Sequence, residues 1–371
     1  MIPHPTPQAR YIMLGGFLGA GKTTAVAALA EHLTAQGLRV GLITNDQGSE
    51  LVDTAMLRSK GFRTEEIAGG CFCCRFTSLM EAADRLNVAG RPDVFIAEPV
   101  GSCTDLVATV TYPLRRIYGD QFTVAPLSVL VDPVRAERVL GISEGGRFSD
   151  KVVYIYRKQL EEADLIVISK ADSVSPSRIE ALQERLTADF PHASVLAASI
   201  RAGTGLAAWW ECVLGGEQVA RETMEVDYKM YAEGEALLGW LNATVQVAGE
   251  APFDSEVLLK GFANSIRERL AGTEIAHLKM TLSPDGGLPG VAVVNLVRSD
   301  FVPELSLALE ELVGSGQIIV NLRAEAAPER LREALEAAVA GLPVRGSVEH
   351  LEFFRPGKPV PTHRDVVGAV M

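Results

Sequence analysis

Three of the five cysteines in this chain stand within four positions, in the stretch GGCFCCRF at residues 69–76. Cys71, Cys73 and Cys74 are too close together for a useful disulfide framework, whereas three thiolates suit Zn²⁺ or another soft or borderline metal ion. Because the adjacent Cys73 and Cys74 cannot easily bind one ion without backbone distortion, we expect two of the thiols to ligate and the third to support them. A carboxylate, a water or another protein would then supply the fourth ligand.

Two other interpretations of the cluster stay open. The thiols could be small buried hydrophobic groups or a redox-active pair. Cys103, in the stretch GSCTDL, could approach the same region, although a lone cysteine is more often simply buried.

A second stretch, GFLGAGKT at residues 16–23, matches the phosphate-binding pattern G-x-x-x-x-G-K-[ST] and lies between a predicted strand and a predicted helix. Its glycines let backbone N–H groups turn inward around phosphate oxygens, and the helix N-terminus adds positive potential. We expect Lys22 to reach the β- and γ-phosphates and the Thr23 hydroxyl to bind Mg²⁺. The predicted nucleotide-binding residues of this loop are Gly16, Gly19, Ala20, Gly21, Lys22, Thr23 and Thr24.

The stretch ISKAD at residues 168–172 bears on which base is bound, because P-loop GTPases often carry N-K-x-D at this place. Asp172 can accept hydrogen bonds from guanine N1–H and N2–H₂, a pairing that adenine cannot offer, and the Lys170 stem can cover the base. Ser169 stands where the pattern has asparagine. With the loop SIRAGTGL at 199–206, which resembles a loop that completes guanine pockets, the pattern favours GTP over ATP.

Acidic residues follow two of the predicted strands. Glu98 ends the third strand, where P-loop proteins place an acid that orients Mg²⁺ or the attacking water. Asp46, in ITNDQG after the second strand, occupies a region that switches with the γ-phosphate in related nucleotide-binding proteins. Asp53 is a second candidate acid seven residues later.

The overall composition limits the classes of partner that this chain is expected to bind. A formal charge of −12 without a Lys/Arg run argues against nucleic acid, and no stretch is apolar enough to predict a membrane span. The polar N-terminal stretch MIPHPTPQAR lacks the apolar core of a signal peptide, so we expect a cytoplasmic protein with reduced thiols.

The first two hundred residues alternate β-branched runs with helical stretches, which predicts a parallel sheet with helices on both faces. Near-continuous apolar runs are typical of strands buried on both faces, and ligands bind at the carboxyl ends of such strands. The six predicted strands are 11–15, 39–45, 93–98, 125–132, 164–169 and 193–199.

Beyond Trp210 the pattern changes, and it predicts a nucleotide-binding domain at 1–213, a linker at 214–235 and a smaller α+β domain at 236–371. The last part is expected to be a ferredoxin-like β-α-β-β-α-β unit, with the short strand at 317–323 as an addition and 300–316 as an extra segment that is a candidate helix. Its elements are strand 236–247, helix 254–271, strands 274–283 and 290–298, helix 327–341 and strand 347–354.

These stretches resemble the CobW-like family of P-loop GTPases, the metallochaperone branch related to the urease and hydrogenase nickel-maturation GTPases. The resemblance spans residues 11–206 and is carried by GFLGAGKT, NDQG, EEIAGGCFCC, AEPVG and SKAD. It implies a GTP-dependent factor that delivers Zn²⁺, Co²⁺ or another metal. It also implies that residues 16–24 bind phosphate and Mg²⁺, that the three clustered cysteines bind metal, that Glu98 acts in hydrolysis and that Lys170 and Asp172 bind guanine.

The chain departs from the family pattern at three places. Asp46 stands where glutamate is more common, EPVGSCTDL differs from E-[ST]-[ST]-G-x-A-D-P, and Ser169 breaks N-K-x-D. These departures indicate a divergent subgroup.

The leading hypothesis is a slow GTPase, with Lys22, Glu98 and Asp46 as catalytic residues, whose nucleotide state sets its metal affinity. The loop that holds Asp46 leads directly into the cysteine cluster, and the recipient would be a metalloprotein or a corrinoid-dependent enzyme. In the alternative, the protein is a nucleotide-gated activator of such an enzyme and the thiols are structural. A small-molecule kinase is a third interpretation, which the cysteine cluster and SKAD both disfavour.

Overall fold

A computed structural model of the chain describes residues 8–46, 52–88, 90–286 and 290–366. Its first part contains an eight-stranded sheet in which every strand pairing is parallel. The strands are β1 (Ala9–Gly16), β2 (Val40–Asn45), β3 (Thr64–Ile67), β4 (Val94–Glu98), β5 (Phe122–Val124), β6 (Ser128–Val131), β7 (Leu165–Ile168) and β8 (Ser194–Ala197). Their order is β3-β2-β4-β1-β6-β7-β8, and β5 pairs with β1.

Helices cover both faces of this sheet, as predicted. Alternate side chains of β1 enter two separate apolar clusters: Tyr11 and Met13 one, Ile12 and Leu14 the other. The helices of this part are α1 (Lys22–Ala35), α2 (Val52–Ser59), α3 (Phe76–Val88), α4 (Tyr112–Tyr118), α5 (Pro133–Val139), α6 (Asp150–Glu162), α7 (Pro176–Asp189), α8 (Leu206–Gly215) and α9 (Tyr228–Leu237). Residues of α3, α6 and α7 lie in the first cluster and those of α1, α2 and α8 in the second.

Two short strands were absent from the sequence prediction. Strand β3, of sequence TEEI, lies at the edge of the sheet, and its two glutamates hide the apolar pattern. Strand β5 lies just before the predicted strand 125–132, which is observed as β6. Pro126, between the two strands, has no backbone N–H to donate to β1.

The second part is a six-stranded antiparallel sheet with two helices. The strands are β9 (Gly239–Phe253), β10 (Ile275–Pro284), β11 (Ala292–Leu296), β12 (Glu304–Leu307), β13 (Val313–Ala324) and β14 (Arg345–Phe354), and the helices are α10 (Ser255–Arg269) and α11 (Pro328–Ala340). Their order is β12-β11-β10-β13-β9-β14. The four strands β14-β9-β13-β10 with α10 and α11 form the ferredoxin-like unit, which confirms the predicted class.

The assignment of its strands was wrong in two places. The strand predicted as an addition, near 317, is β13, which lies between β9 and β10 in the middle of the unit, and β11 is the addition. Both runs are apolar and β-branched, so their composition did not show which one pairs centrally. The segment 300–316 contains strand β12, not a helix.

The segment predicted as a linker contains most of α9. Asp227 caps this helix by accepting hydrogen bonds from the N–H groups of Lys229 and Met230. Helix α9 packs closely on α6, and its buried residues Tyr231 and Glu235 point toward the first part of the chain. No helix among the described residues is both long enough and apolar enough to cross a membrane.

The close packing of α9 on α6 predicts opposite effects for two Gly→Ala substitutions. A Cβ on Gly234 would lie 2.4 Å from the carbonyl oxygen of Lys151, whereas nothing lies within 4 Å of a Cβ on Gly261 in α10. We expect Gly234→Ala to lower the free energy of unfolding by about 1–3 kcal/mol through overpacking. Gly261→Ala should raise it by about 0.5–1 kcal/mol through helix propensity. Urea titrations followed by circular dichroism measure both, and a stabilising Gly234→Ala would contradict the close helix contact.

Candidate nucleotide and metal site

The loop between β1 and α1 has the backbone shape that phosphate binding requires. Gly16, Gly19 and Gly21 all have positive φ, and a Cβ on Gly16 would lie 2.3 Å from the carbonyl oxygen of Leu130. Glycine is therefore the residue that fits position 16 without strain. Lys22 and Thr23 begin α1 and are buried, while Thr24 is exposed.

Thr23 lies between two acidic side chains. Its Oγ1 is 2.8 Å from Asp53 Oδ1, at the start of α2, and 3.0 Å from Glu98 Oε1, at the end of β4. Lys279 of β10 donates to Asp53 Oδ1 at 2.5 Å and to Thr23 Oγ1 at 3.2 Å. A divalent cation could take the place of the Lys279 ammonium group, because it would lie beside one hydroxyl and two carboxylates.

Electrostatics at this point favour a bound cation. Burial, and then the charge of Asp53, raises the pKa of Glu98 to about 7. Burial acts to raise the pKa of Asp53, but the charge and hydrogen bonds of Lys279 and Thr23 hold it below its usual value. Burial lowers the pKa of Lys22. Glu98 Oε2 is buried and has no hydrogen-bond partner among the described residues, so the site fits Mg²⁺ with a polyanionic ligand.

The residues predicted to bind the base lie on the other side of the phosphate loop. Ser169 Oγ is 2.7 Å from the carbonyl oxygen of Ala20 and 3.0 Å from that of Val131, so it connects the end of β7 to the phosphate loop. Lys170 donates to the carbonyl of Gly19 at 2.8 Å and pairs with Asp132 at 3.0 Å. Asp172 is exposed.

Asp172 is held in place by the loop after β8. Its Oδ1 accepts a hydrogen bond from Ser199 Oγ at 2.6 Å, and Ser199 Oγ also accepts one from the N–H of Ala202. The other carboxylate oxygen of Asp172 makes no hydrogen bond or ion pair with the described residues. Together, the two loops form the wall of a cavity of about 640 Å³, a volume typical of ligand pockets.

Asp46 lies apart from Thr23. It pairs with Arg323 of β13, at 3.1 and 3.2 Å, and the Arg323 guanidinium lies over the ring of Trp240. The structure therefore brings Asp53, not Asp46, to the phosphate loop, although Asp46 also lines the cavity. Gln47 and Gly48, the remainder of NDQG, lie outside the described residues, and the catalytic role of Asp46 stays a prediction.

The sequence interpretation missed the contribution of the antiparallel sheet to this cavity. Lys279 and His277, both on β10, line it, and the buried Nε2 of His277 has no hydrogen-bond partner among the described residues. Burial, and then the charge of Lys279, lowers the pKa of His277 well below its usual value. The sequence contains a signal for this face, because polar His277, Lys279 and Thr281 alternate with apolar residues. The structure shows that this polar face is also largely buried.

The three clustered cysteines converge at the start of α3. The Sγ atoms of Cys71 and Cys73 are 2.8 Å apart, those of Cys71 and Cys74 are 3.2 Å apart, and those of Cys73 and Cys74 are 3.7 Å apart. All three lie within 4.8 Å of one another, so the adjacent Cys73 and Cys74 do face one point. Thiol sulfurs in this arrangement fit a tetrahedral ion such as Zn²⁺.

The thiols polarise one another unequally. Hydrogen bonding with Cys103, and then with Cys73 and Cys74, holds the pKa of Cys71 well below its usual range. Hydrogen bonding with Cys71 raises the pKa of Cys74 to about 11. Because a thiol must lose its proton to bind a metal ion, Cys71 is the thiol of the cluster most readily available as a first ligand.

The C-terminal segment 355–366 covers the cysteines. The N–H of Thr362 donates to the carbonyl of Cys73 at 2.8 Å, and the N–H of Val360 donates to Cys74 Sγ at 3.3 Å. Arg364 anchors the segment by pairing with Asp105 at 2.8 Å. The cluster is therefore enclosed, with Cys71 and Cys73 buried and Cys74 half-buried.

Comparisons with known proteins point to one family. Residues 10–197, just over half of the chain, match the sequence model of the CobW/HypB/UreG family, nucleotide-binding domain. The zinc chaperone YeiR of Escherichia coli (strain K12) is 30% identical over 174 residues, which cover 46% of this chain and 49% of YeiR. The zinc chaperone CobW of a Sinorhizobium species is 29% identical over 204 residues, which cover 47% of this chain and 54% of that protein.

The chain thus spans about half the length of the curated relatives it matches. Among solved structures, Zn(II)-bound YjiA GTPase from E. coli aligns over 91% of this chain and 99% of that chain, with 17% identity and a TM-score of 0.38.

The raised pKa of Glu98 predicts how nucleotide binding depends on pH. Because the pKa of Glu98 is about 7, its carboxyl group is neutral below about pH 7 and ionised above it. The ionised form attracts Mg²⁺, so Mg²⁺-dependent binding of a fluorescent GDP analogue should strengthen as pH rises. We expect the Mg²⁺ affinity to rise by up to about tenfold per unit between about pH 6 and 7 and to level off above about pH 8. Glu98→Gln should bind Mg²⁺ weakly with a flat pH profile. The same profile in both proteins would contradict the role of Glu98.

Proposed function

Because this chain belongs to the CobW/HypB/UreG family of nucleotide-binding proteins, we propose that it is a slow GTPase that couples its nucleotide state to the binding and delivery of a transition metal. GTP and GDP are its nucleotides and Mg²⁺ is its cofactor. The metal is its cargo, held by Cys71, Cys73 and Cys74. The recipient is a metalloprotein or a corrinoid-dependent enzyme.

One contact carries this proposal, because it joins the two ends of the site. Asn45, the last residue of β2 and the neighbour of Asp46, donates its side-chain N–H groups to the carbonyls of Ile67 and Gly70, at 2.9 and 2.6 Å. Gly70 directly precedes Cys71. A movement of the segment after β2 in response to the γ-phosphate would therefore be transmitted to the cysteine loop.

At the phosphate end, the chain's own groups suit phosphoryl transfer from GTP to water. Among the residues that the structure describes, the Lys22 ammonium group makes one weak hydrogen bond, 3.5 Å to the carbonyl oxygen of Phe17, so it is available to the β- and γ-phosphates. Thr23 and Asp53 would hold Mg²⁺, which would neutralise charge on the phosphate oxygens. Glu98, with a pKa of about 7, can accept a proton from the attacking water.

At the base end, the contacts favour guanine. Ser199 orients Asp172 so that a carboxylate oxygen faces the cavity, where it can accept from guanine N1–H and N2–H₂. Lys170 is fixed by Gly19 and Asp132, with its stem beside the cavity. The hydroxyl of Ser169 connects this loop to Ala20, a structural task that does not require asparagine.

At the metal end, the sulfur positions favour Zn²⁺ as cargo, with Co²⁺ as the alternative. A tetrahedral ion with Zn–S bonds of about 2.3 Å places its sulfurs about 3.8 Å apart. The observed separations of 2.8 to 3.7 Å need only a small expansion. The names of the relatives YeiR and CobW, both zinc chaperones, support the same choice.

A second candidate function is favoured by the C-terminal segment. Its hydrogen bonds to Cys73 and Cys74 would also suit a cluster that only holds the tail in place. In this case the protein is a nucleotide-gated activator that binds its client enzyme, and the thiols are structural.

The triple substitution Cys71→Ser, Cys73→Ser and Cys74→Ser separates the two. If the cluster binds cargo, the reduced variant should lose the thiolate-to-Co²⁺ charge-transfer absorption and most of its Zn²⁺ affinity, because hydroxyl groups are poor ligands for these ions. GTP affinity should stay within about threefold of the wild type. Spectrophotometric Co²⁺ titration and fluorescent-nucleotide titration measure the two properties.

Cys212→Ser, in α8, is the matched control, because Cys212 packs on the opposite face of the parallel sheet. It should leave both properties unchanged. A triple variant that binds Co²⁺ with the wild-type spectrum would exclude the cluster as the cargo site.

A further inference from the structure

Cys103 is a fourth cysteine beside the cluster. It lies in the loop after β4, is 1% exposed and belongs to the same buried cluster as Cys71 and Cys73. Its hydrogen bonding acts first among the causes that lower the pKa of Cys71 and raise the pKa of Cys73. The three clustered sulfurs alone leave a tetrahedral ion one ligand short.

We propose that Cys103 supplies the fourth sulfur, so that the metal cargo is bound by four cysteines from two separate loops. This inference rests on the proposed function, in which Cys71, Cys73 and Cys74 bind the cargo. The Cys103 sulfur is not among the sulfurs that lie within 4.8 Å of one another. We therefore expect the Cys103 side chain to rotate toward the other three thiols when metal binds, while the loop backbone stays in place.

The loop that carries Cys103 is positioned for this task. The side-chain amide of Gln159, on α6, donates to the carbonyls of Gly101 and Cys103, at 2.9 and 2.8 Å. The N–H of Cys103 donates to the carbonyl of Val100 and closes a turn. These bonds hold the backbone of the loop and do not involve the Cys103 thiol. The loop is thus ordered before any metal arrives, which reduces the entropy lost on binding.

The same loop begins at the nucleotide. Glu98, which contacts Thr23, is five positions before Cys103, and between them Gly101 lies so close to Leu18 of the phosphate loop that a Cβ there would be 2.9 Å from the Leu18 N. A ligand at Cys103 therefore gives the metal a short covalent path to the phosphate site, independent of the contact from Asn45 to Gly70. Nucleotide-driven movement of Glu98 would change the distance between Cys103 and the ion.

Glu235 is the other group that could complete the ligand set. This buried carboxylate of α9 accepts a hydrogen bond from Ser102 Oγ at 2.7 Å and lies close enough to Cys71 for their charges to interact. Sulfur is the better fourth ligand for a soft or borderline ion that already has three thiolates. We therefore assign Glu235 to orienting the loop through Ser102.

X-ray absorption spectroscopy on the zinc-loaded, reduced full chain counts the ligands directly. We expect four sulfurs at about 2.3 Å in the wild type, and three sulfurs with one oxygen or nitrogen at about 2.0–2.2 Å in Cys103→Ser. Zn²⁺ affinity should fall at least tenfold in Cys103→Ser. Cys212→Ser and Glu235→Gln should both keep four sulfurs.

Three sulfurs in the wild type, or an unchanged spectrum in Cys103→Ser, would overturn the assignment of Cys103. The number of sulfur ligands in the wild type can be measured even if the Cys103→Ser variant does not fold. Failure of the proposed function would look different, because the wild type would then show no sulfur ligands, or the triple serine variant of Cys71, Cys73 and Cys74 would keep the wild-type spectrum.

Discussion

Two largely buried carboxylates, Asp53 and Glu98, lie on either side of the Thr23 hydroxyl, and the ammonium groups of Lys22 and Lys279 offset their repulsion. Burial, and then the charge of Asp53, disfavours the ionised form of Glu98 and raises its pKa to about 7. A divalent cation between them would compete with Lys279 for Asp53. Because Lys279 belongs to β10, the antiparallel sheet is expected to respond to what occupies the phosphate site.

The antiparallel sheet can respond in this way because it has two different buried faces. Its apolar face packs against α10 and α11, whereas its opposite face carries polar side chains that need partners once they leave water. Asn321 accepts from the N–H of Val52 at 3.0 Å, and Arg323 pairs with Asp46. Both partners flank the segment between β2 and α2. The residues at the two ends of this segment thus contact the phosphate loop, the antiparallel sheet and, through Asn45, the cysteine loop.

The local parts of this arrangement could be predicted from the sequence, and the long-range parts could not. Continuous apolar strands and the glycine spacing of GFLGAGKT are local signals, and they predicted the parallel sheet and the conformation of its first loop. Strand β3 was missed because TEEI is an edge strand with polar side chains. The contact of Lys279 with Asp53 joins residues 226 positions apart, and only packing decides which buried polar face meets which acid.

The cysteines illustrate the same division. Their spacing predicted a metal site, but the expectation that Cys73 and Cys74 could not easily bind one ion together did not consider the turn that begins at Cys71, whose carbonyl accepts from the N–H groups of Cys74 and Arg75. This turn gathers the three sulfurs. The position of Cys103 against them follows from the pairing of β2 with β4 and of β2 with β3, which sets both loops at the same edge of the sheet.

The central claim is that nucleotide state and metal affinity are coupled, and a titration of the reduced apo-protein with Zn²⁺ and Co²⁺ tests it most directly. The titration is run with Mg²⁺ and either no nucleotide, GDP or a non-hydrolysable GTP analogue, and thiolate-to-Co²⁺ absorption follows the binding. The account predicts tighter metal binding with the GTP analogue than with GDP, by about tenfold or more, and an equal effect of metal on the affinity for the analogue. Identical metal affinity in all three nucleotide states would contradict it.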